Sequence, residues 1–326
     1  MKGCLSLLVL IASLAQVLAS TSINSTNKYA YGANIGWIDC RGDTNSGAII
    51  GEFVCSGYLY SANVGWIHLG SNAPANGIQY QNNSAIDYGV NNDGLGNLRG
   101  FAYGANIGWI NFESNGAPKV DLKTGKLSGS VYSANCGWIT LSNAFAVVQT
   151  DTIPGGADLN ANGLPDAWER TYFAALGVDP NADSDGDGMS NQEEYLAGTN
   201  PTNSSDALII NAFTSDSGGT NVSLTWSSVL TRYYFIQETT GLESPLWIDS
   251  SAGLVVPSGP STTGAFTDSD AQCASTACKR FGPLHRKART RLVSVESADG
   301  KMLYFRRQCF GERQAPMFSG QRISRP

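Results

Sequence analysis

One eight-residue phrase occurs four times in the first half of this chain. Each copy has the form Tyr-(Gly or Ser)-Ala-Asn-x-Gly-Trp-Ile, and the copies begin at Tyr31, Tyr60, Tyr103 and Tyr132. The Gly and Ser versions alternate, and the spacing from Tyr31 to Tyr60 equals that from Tyr103 to Tyr132, so the repeating unit is a pair of phrases. The first half of the chain is therefore expected to contain two duplicated units.

Each phrase predicts two strands joined by a tight turn. Tyr, Trp and Ile are typical of strands, whereas Asn and Gly tolerate the positive φ angles that tight turns need. Residues 20–150 are thus expected to form a tandem β-repeat domain of two 72-residue units. The pattern fits a closed sheet assembly, a sandwich or a short solenoid, and it does not distinguish between them.

The tryptophans of the four phrases have two interpretations. Exposed aromatic rings stack on sugars, so a carbohydrate-binding surface is one of them. Each Trp is followed by Ile in the same apolar phrase, however, and this is typical of a repeated core position. We therefore expect these four side chains to be buried: Trp37, Trp66, Trp109 and Trp138.

The segment 1–19 has the composition of a secretory signal peptide. Lys2 precedes an apolar run from Leu5 to Leu18, and small residues follow it. A membrane anchor would need a longer apolar segment of about 20 residues, and no later segment is apolar enough to span a bilayer. The protein is therefore expected to be secreted or held at the cell surface, with this leader segment removed.

Six cysteines remain in such a mature chain, which permits disulfides in an oxidising compartment. Cys40 and Cys55 are the favoured pair. Cys136 stands where a sister repeat has Val64, so a buried apolar thiol is expected there rather than a reactive one.

An acidic segment, Asp183–Glu194, fits the twelve-residue calcium-loop pattern D-x-D-x-D-G-x5-E without a gap. Carboxylates stand at loop positions 1, 3, 5 and 12, and Gly188 stands at the sharp turn. The expected Ca²⁺ ligands of this loop, named loop two here, are Asp183, Asp185, Asp187, Met189 through its carbonyl, Asn191 and Glu194. An acidic turn that holds no ion is the alternative interpretation.

A second loop of the same design, named loop one, precedes loop two and spans Asp158–Glu169. Its expected ligands are Asp158, Asn160, Asn162, Leu164, Asp166 and Glu169. Because Asn replaces Asp at positions 3 and 5, loop two is expected to bind Ca²⁺ more tightly. Short helices are predicted after the loops, at Asp166–Leu176 and Asn191–Ala197, but prolines before each loop exclude entering helices. This pattern indicates two half EF-hands and not a paired sensor.

Loop two, continued by Tyr195 and by Ala-Gly-Thr-Asn-Pro201, resembles the bacterial thrombospondin type 3 repeat of secreted and surface proteins. Loop one, with Gly-Leu-Pro-Asp-x-Trp-Glu169, resembles the usual companion of that repeat. The resemblance covers about residues 158–206. It implies calcium binding and a structural, spacer-like role between domains.

The expected fold class is mainly β, with a small helical calcium-loop module between two β regions. The predicted parts are a signal peptide (1–19), the tandem β-repeat domain (20–150), the calcium-binding module (151–206), a β-sandwich-like domain (207–272) and a basic, disordered tail (273–326). Trp226 and Trp247 are expected in the core of the sandwich-like domain. A tail foreign to the domain, or a functional basic tail, is the alternative for the last part.

Charge and motif content favour a non-enzymatic function. Before Cys273 the chain has 9 Lys and Arg against 24 Asp and Glu, which argues against a nucleic-acid-binding surface there. After signal removal only His68 and His285 remain as histidines, and no nucleophile elbow, P-loop or zinc-protease motif is present. A glycosidase that uses dispersed carboxylates stays open as an alternative.

The expected function is that of a secreted calcium-binding structural or adhesion protein, in which the two loops rigidify the junction between β domains. Its expected partners are calcium and a cell-surface or matrix polysaccharide or protein. The alternative function is a carbohydrate-binding or polysaccharide-processing protein that uses the repeated aromatic residues.

Overall fold

A computed structural model of the chain describes residues 21–42, 45–113, 115–216, 220–239 and 248–267, and the strands at 289–296 and 302–309. The predicted signal peptide, Trp247, Cys273 and His285 lie outside these ranges. Among the described residues, neither helix combines the length and the hydropathy needed to cross a membrane.

The first part of the chain is made of short antiparallel strands. They are β1 (Ile23–Gly32), β2 (Gly36–Asp39), β3 (Ile49–Ile50), β4 (Cys55–Ser61), β5 (Gly65–Gly70), β6 (Val90–Asn92), β7 (Leu98–Gly104), β8 (Gly108–Asn111), β9 (Lys119–Val120), β10 (Leu127–Ser128), β11 (Ser130–Ser133), β12 (Gly137–Thr140) and β13 (Val148–Thr150).

Eight of these strands close into a β-barrel. Their order is β1-β2-β4-β5-β7-β8-β11-β12, and β12 pairs back with β1, where Thr140 lies opposite Tyr31. Each repeated phrase supplies one hairpin of the barrel, so all four phrases contribute to a single sheet. Of the three arrangements that the sequence left open, the closed assembly is the one observed.

The turns of the four hairpins are linked to one another. The turn glycines Gly36, Gly65, Gly108 and Gly137 have φ angles of +73°, +78°, +69° and +78°. These values fit three-residue hairpin turns that need a left-handed residue. The turn asparagines each donate from Nδ2 to a carbonyl of a neighbouring turn: Asn34 to Cys136, Asn63 to Ile35, Asn106 to Val64 and Asn135 to Ile107, at 3.0–3.1 Å. The four bonds form a closed ring at one end of the barrel.

The repeated tryptophans lie on the outside of the barrel, so the prediction that they are core residues is wrong. Trp37, Trp66, Trp109 and Trp138 are 44–50% exposed, whereas the Ile that follows each of them is at most 2% exposed. Neighbouring residues of a strand point to opposite faces, so Trp and Ile cannot both face inward. An eight-stranded barrel has room inside for side chains of modest size, and the isoleucines fill it.

The tyrosine of each phrase accompanies its tryptophan on the outer surface. We name this set the aromatic belt: Tyr31, Trp37, Tyr60, Trp66, Tyr103, Trp109, Tyr132 and Trp138. In each hairpin the Tyr and the Trp are cross-strand neighbours, and their ring centroids lie 4.9–5.1 Å apart.

The structure of the barrel tests two predictions about cysteines. Cys40 and Cys55 are buried free thiols, so the predicted disulfide between them is wrong. Burial in the apolar interior raises the pKa of each thiol to about 12. Cys136 is also a buried free thiol, as predicted from its place in the repeat. Cysteine number alone allowed the pair, but it carries no information on side-chain direction.

The second half of the chain begins with two short helices, which are followed by two sheets. The elements are α1 (Asp166–Phe173), α2 (Asn191–Ala197), β14 (Ile210–Ser215), β15 (Asn221–Ser227), β16 (Tyr233–Thr239), β17 (Ile248–Val255), β18 (Ser261–Thr267), β19 (Arg289–Glu296) and β20 (Met302–Cys309). The sheet orders are β14-β15-β18 and β17-β16-β19-β20. Strands β19 and β20 lie within residues 273–326, for which the sequence indicated a disordered tail.

One hydrophobic cluster joins the two helices to these sheets. It contains Leu164 and Trp168 of loop one, Tyr195 on α2, and Trp226 on β15. Trp226 is fully buried, as predicted. The helical segment therefore shares its core with the C-terminal strands, while the barrel has a core of its own.

Candidate metal centre

Loop two places three carboxylates side by side. Asp183, Asp185 and Asp187 offer ligand oxygens that all lie within 4.8 Å of one another. Asp183 accepts hydrogen bonds from the backbone N–H groups of Gly186 at 2.7 Å and Gly188 at 2.9 Å. These glycines have φ angles of +82° and +98°, which other residues adopt only at a cost. The loop backbone thus holds like charges close together, and this arrangement favours a bound cation.

Four buried oxygens of loop two have no hydrogen-bond donor among the described residues. They are Asp185 Oδ2, Asp187 Oδ2, Asn191 Oδ1 and Glu194 Oε2, at loop positions 3, 5, 9 and 12. A buried acceptor without a donor costs about 1–3 kcal/mol, so native proteins rarely keep several of them. A hard divalent cation bound by oxygen ligands would satisfy all four together.

Glu194 has an environment that disfavours its own negative charge. Its side chain is fully buried, and its Oε1 accepts a hydrogen bond from Thr199 Oγ1 at 3.3 Å. Burial, and then the carboxylates of Asp185 and Asp187, raise the pKa of Glu194 to about 8. Burial likewise raises the pKa of Asp187. A cation between these carboxylates would offset the repulsion and restore the ionised form.

Helix α2 positions the last two ligands of loop two. Its N-terminus has a capping box, in which Ser190 accepts from the backbone of Glu193 and the Glu193 side chain accepts from the backbone of Ser190. Asn191 donates from Nδ2 to the carbonyl of Asp179 at 2.8 Å, which leaves its Oδ1 as the free acceptor. Glu194 follows three residues later, so both side chains lie on the same face of the helix.

In loop one, backbone and side-chain amides satisfy the carboxylate at position 12. Glu169 Oε1 accepts from the backbone N–H groups of Gly177 and Val178, both at 2.8 Å. The same carboxylate accepts from Nδ2 of Asn162 at 3.0 Å and Nδ2 of Asn160 at 3.2 Å. The two asparagines that replace Asp therefore donate to Glu169 in this structure.

The other predicted ligands of loop one are also engaged within the loop. Asp158 accepts from the backbone N–H groups of Asn162 and Gly163, and Asp166 accepts from that of Leu159. Leu164 is fully buried in the apolar cluster. In the described part of the chain, the donor-free buried oxygens of the loops all belong to loop two.

A buried ion pair connects α2 with both β regions. Arg232, which is 6% exposed, donates from Nη2 to Glu52 Oε1 at 3.0 Å and to the carbonyl of Tyr195 at 2.9 Å. Its Nε donates to the carbonyl of Leu196 at 2.9 Å, and the hydroxyl of Tyr195 donates to Glu52 Oε2 at 3.0 Å. We name these four residues the junction cluster. Glu52 lies between β3 and β4, whereas Arg232 immediately precedes β16.

Sequence reasoning missed Thr199 and the junction cluster. Thr199 belongs to the Gly-Thr-Asn-Pro stretch after α2, and its fixed distance from Glu194 was the available signal. Glu52 and Arg232 are 180 residues apart in the chain and belong to no motif. Their pairing depends on the packing of the two halves, which local patterns do not contain.

Comparison with known proteins yields one match. The model of the bacterial TSP3 repeat family matches residues 183–204, which include loop two and helix α2. No curated protein and no solved structure has a significant match to the chain. The predicted resemblance is confirmed for this segment: residues 183–204 are a bacterial TSP3 repeat, that is, a thrombospondin type 3 repeat.

Proposed function

We propose that loop two binds a structural Ca²⁺ ion and that this ion rigidifies the junction between the barrel and the C-terminal sheets. The observation that carries the proposal is the set of four donor-free buried oxygens at the ligand positions of loop two. Oxygen ligands suit Ca²⁺, which takes six to eight of them at about 2.3–2.6 Å. The remaining ligands we assign are Asp183 and the carbonyl of Met189.

The junction cluster explains how an ion in loop two would act beyond the loop. Glu194 would be a ligand, and the next residue, Tyr195, donates to Glu52 and accepts from Arg232. Fixing Glu194 therefore fixes the turn of α2 whose carbonyls Arg232 holds. Because Arg232 and Glu52 belong to opposite halves of the chain, calcium would stabilise the connection between those halves.

Loop one is the weaker site in this proposal. Its Glu169 already has four donors, and two of them, Asn160 and Asn162, would have to rotate before Ca²⁺ is bound. The rotation of these two side chains and the lower negative charge of loop one both reduce its affinity for Ca²⁺. Extracellular calcium modules have dissociation constants of about 10⁻⁴–10⁻³ M. We place the dissociation constant of loop two in that range and that of loop one above it.

We further propose that the protein works outside the cell as a non-catalytic structural or adhesion protein. The apolar leader of the sequence and the bacterial TSP3 repeat support an extracellular location. Calcium at millimolar concentration would keep loop two loaded there. A cell-surface or matrix polysaccharide or protein is the partner that this setting suggests.

Calorimetric titration of the full chain with calcium tests the assignment of the two loops. We expect one tighter site, which Glu194→Gln removes because a neutral amide replaces the ligand at position 12. The double change Asn160→Asp/Asn162→Asp should raise the affinity of the weaker site by about tenfold, since it adds two carboxylate ligands and removes two donors to Glu169.

Glu113→Gln is the matched control, because Glu113 is an exposed carboxylate on the barrel side of the molecule. It should leave both sites unchanged. Calcium binding by Glu194→Gln with the affinity of the unmodified protein would refute the assignment of loop two.

A further inference from the structure

The aromatic belt is a surface to which the proposed calcium function gives no role. Its eight rings follow the outside of the closed barrel, one Tyr–Trp pair to each hairpin. Two cavities in the barrel interior have volumes of about 30 and 20 Å³. Such volumes hold a water molecule at most. A ligand as large as a sugar ring would therefore not fit in either of them.

The tryptophan rings of the belt are held in place by their surroundings. Each packs edge-on or tilted against its cross-strand Tyr. A Cβ atom on Gly42 would lie 3.2 Å from the Trp66 ring, and one on Gly116 would lie 2.8 Å from the Trp138 ring. Because these glycines lack a Cβ atom, the loop backbone can pack directly against the two rings. Rings fixed in this way lose little conformational entropy when a ligand binds.

A polar side chain separates each aromatic pair from the next around the barrel. Asp39 lies opposite Tyr60, His68 opposite Tyr103, Asn111 opposite Tyr132, and Thr140 opposite Tyr31. These polar residues stand two positions after each Trp, so they share its outward face. The polar positions therefore lie between the Tyr–Trp pairs around the barrel, and Tyr29, Tyr58 and Phe101 place a further ring opposite three of them.

The belt and its polar positions are close to electrically neutral. Asp39 is the charged residue among the polar positions, and it forms an ion pair with Lys28 at 2.6 Å. Burial lowers the pKa of His68, so its imidazole is neutral near pH 7. This surface therefore offers a strongly charged polymer little net charge of the opposite sign.

We propose that the aromatic belt binds neutral glycan chains, with sugar rings stacked on the tryptophans and sugar hydroxyls hydrogen-bonded to the intervening polar side chains. The C–H groups on a pyranose face carry partial positive charge, and they suit the negative face of an indole ring. Sugar hydroxyls donate and accept, so they can add to the hydrogen bonds that Asp39, His68, Asn111 and Thr140 already make within the protein. Neutrality, ring chemistry and polar spacing all agree with this class of ligand.

The arrangement around the barrel argues against a second copy of the chain as the occupant. A twofold interface covers one patch of a convex surface, whereas the aromatic pairs face outward in four directions. Separate glycan chains, or successive parts of one glycan chain, can occupy all four Tyr–Trp pairs. Four similar weak sites would also raise the affinity for a repeating polymer through multivalency.

Native gel electrophoresis of the full chain in calcium, with laminarin, xylan, mannan or dextran in the gel, tests this proposal. We expect at least one of these neutral glycans to slow the protein, and Trp66→Ala/Trp109→Ala to weaken that binding at least tenfold. This pair is chosen because a row of rings connects the two tryptophans. The row runs through Trp66, Tyr58, His68, Tyr88 and Trp109, and neighbouring centroids lie 4.7–6.1 Å apart. Trp66→Tyr/Trp109→Tyr keeps a ring at each position and should retain part of the binding.

Phe145→Ala is the control, since Phe145 is 88% exposed but lies outside the belt. It should bind as the unmodified protein does. Failure of all four neutral glycans to slow the protein would overturn the proposal, as would binding that survives in a folded double Trp→Ala variant. Retardation by anionic alginate alone, or a Trp-dependent dimer measured by light scattering, would also overturn it.

Discussion

Replacing Glu194 with glutamine is expected to abolish the rise in melting temperature that calcium causes in the unmodified protein. A ligand that binds only the folded state stabilises it by about 2.7 kcal/mol at a hundred times its dissociation constant. For a folding unit of this size the corresponding shift is roughly 5–10 °C. Glutamine keeps the size of the side chain but removes the buried carboxylate at position 12.

In chelator, Glu194→Gln should unfold at or slightly above the temperature of the unmodified protein. The change removes a buried carboxyl group whose ionised form is destabilised by the carboxylates of Asp185 and Asp187. No stabilising charge is therefore lost. Differential scanning calorimetry in chelator and in calcium at about a hundred times a 10⁻⁴ M dissociation constant measures both effects. A variant that keeps the full calcium shift would contradict the role of Glu194.

The second large effect is expected from Arg232→Ala. This change leaves the Glu52 carboxylate and the carbonyls of Tyr195 and Leu196 without their guanidinium donor. Breaking a buried pair by removing one partner typically costs about 3–5 kcal/mol. Because the last carbonyls of a helix lack partners inside the helix, α2 should lose stability as well. Urea denaturation followed by far-ultraviolet circular dichroism measures the loss.

Lys28→Ala provides the contrast for Arg232→Ala. The ion pair of Lys28 with Asp39 is about one-quarter exposed on each side chain, and surface pairs contribute roughly 0–1 kcal/mol. A double-mutant cycle of Arg232→Ala with Glu52→Gln should show coupling, since the two side chains touch. Equal losses for Lys28→Ala and Arg232→Ala would show that the junction cluster does not hold the two halves together.

Much of the barrel follows from local pattern. The phrase with Asn-x-Gly between β-forming residues predicted a strand, a turn and a strand, and each phrase is a hairpin in the structure. The closure of the barrel depends on contacts that one phrase does not contain. The Asn side chains, which were interpreted as turn formers, also link neighbouring hairpins, as with Asn63 and Ile35.

The direction of the tryptophans was mispredicted for a physical reason. The prediction of buried rings relied on the apolar character of the whole phrase. Trp and the following Ile, however, occupy adjacent positions of one strand. Period-two alternation requires one of them to face solvent, and the narrow interior selects the isoleucine. The same alternation, applied to the sequence, would have indicated exposed rings.

The candidate metal centre was more predictable than its surroundings. Spacing alone named Asp185, Asp187, Asn191 and Glu194 as candidate ligands, because a metal loop is local in sequence, and these are the residues of loop two with donor-free buried oxygens. It did not show that Asn160 and Asn162 donate to Glu169, since amide orientation depends on the folded loop. Nor did it indicate Arg232, whose guanidinium donates to Glu52, Tyr195 and Leu196 in distant segments and to the carbonyl of the neighbouring Thr231.

The central claim is that calcium in loop two stiffens the junction, and amide hydrogen exchange measured with calcium and with chelator tests it most directly. The backbone N–H groups of Gly198 and Thr199 bond to the carbonyl of Glu194, so they report on the end of α2. We predict at least tenfold slower exchange with calcium in peptides that cover residues 191–199, and smaller slowing around Glu52 and Arg232. Slowing confined to residues 183–190, or none at all, would contradict the claim.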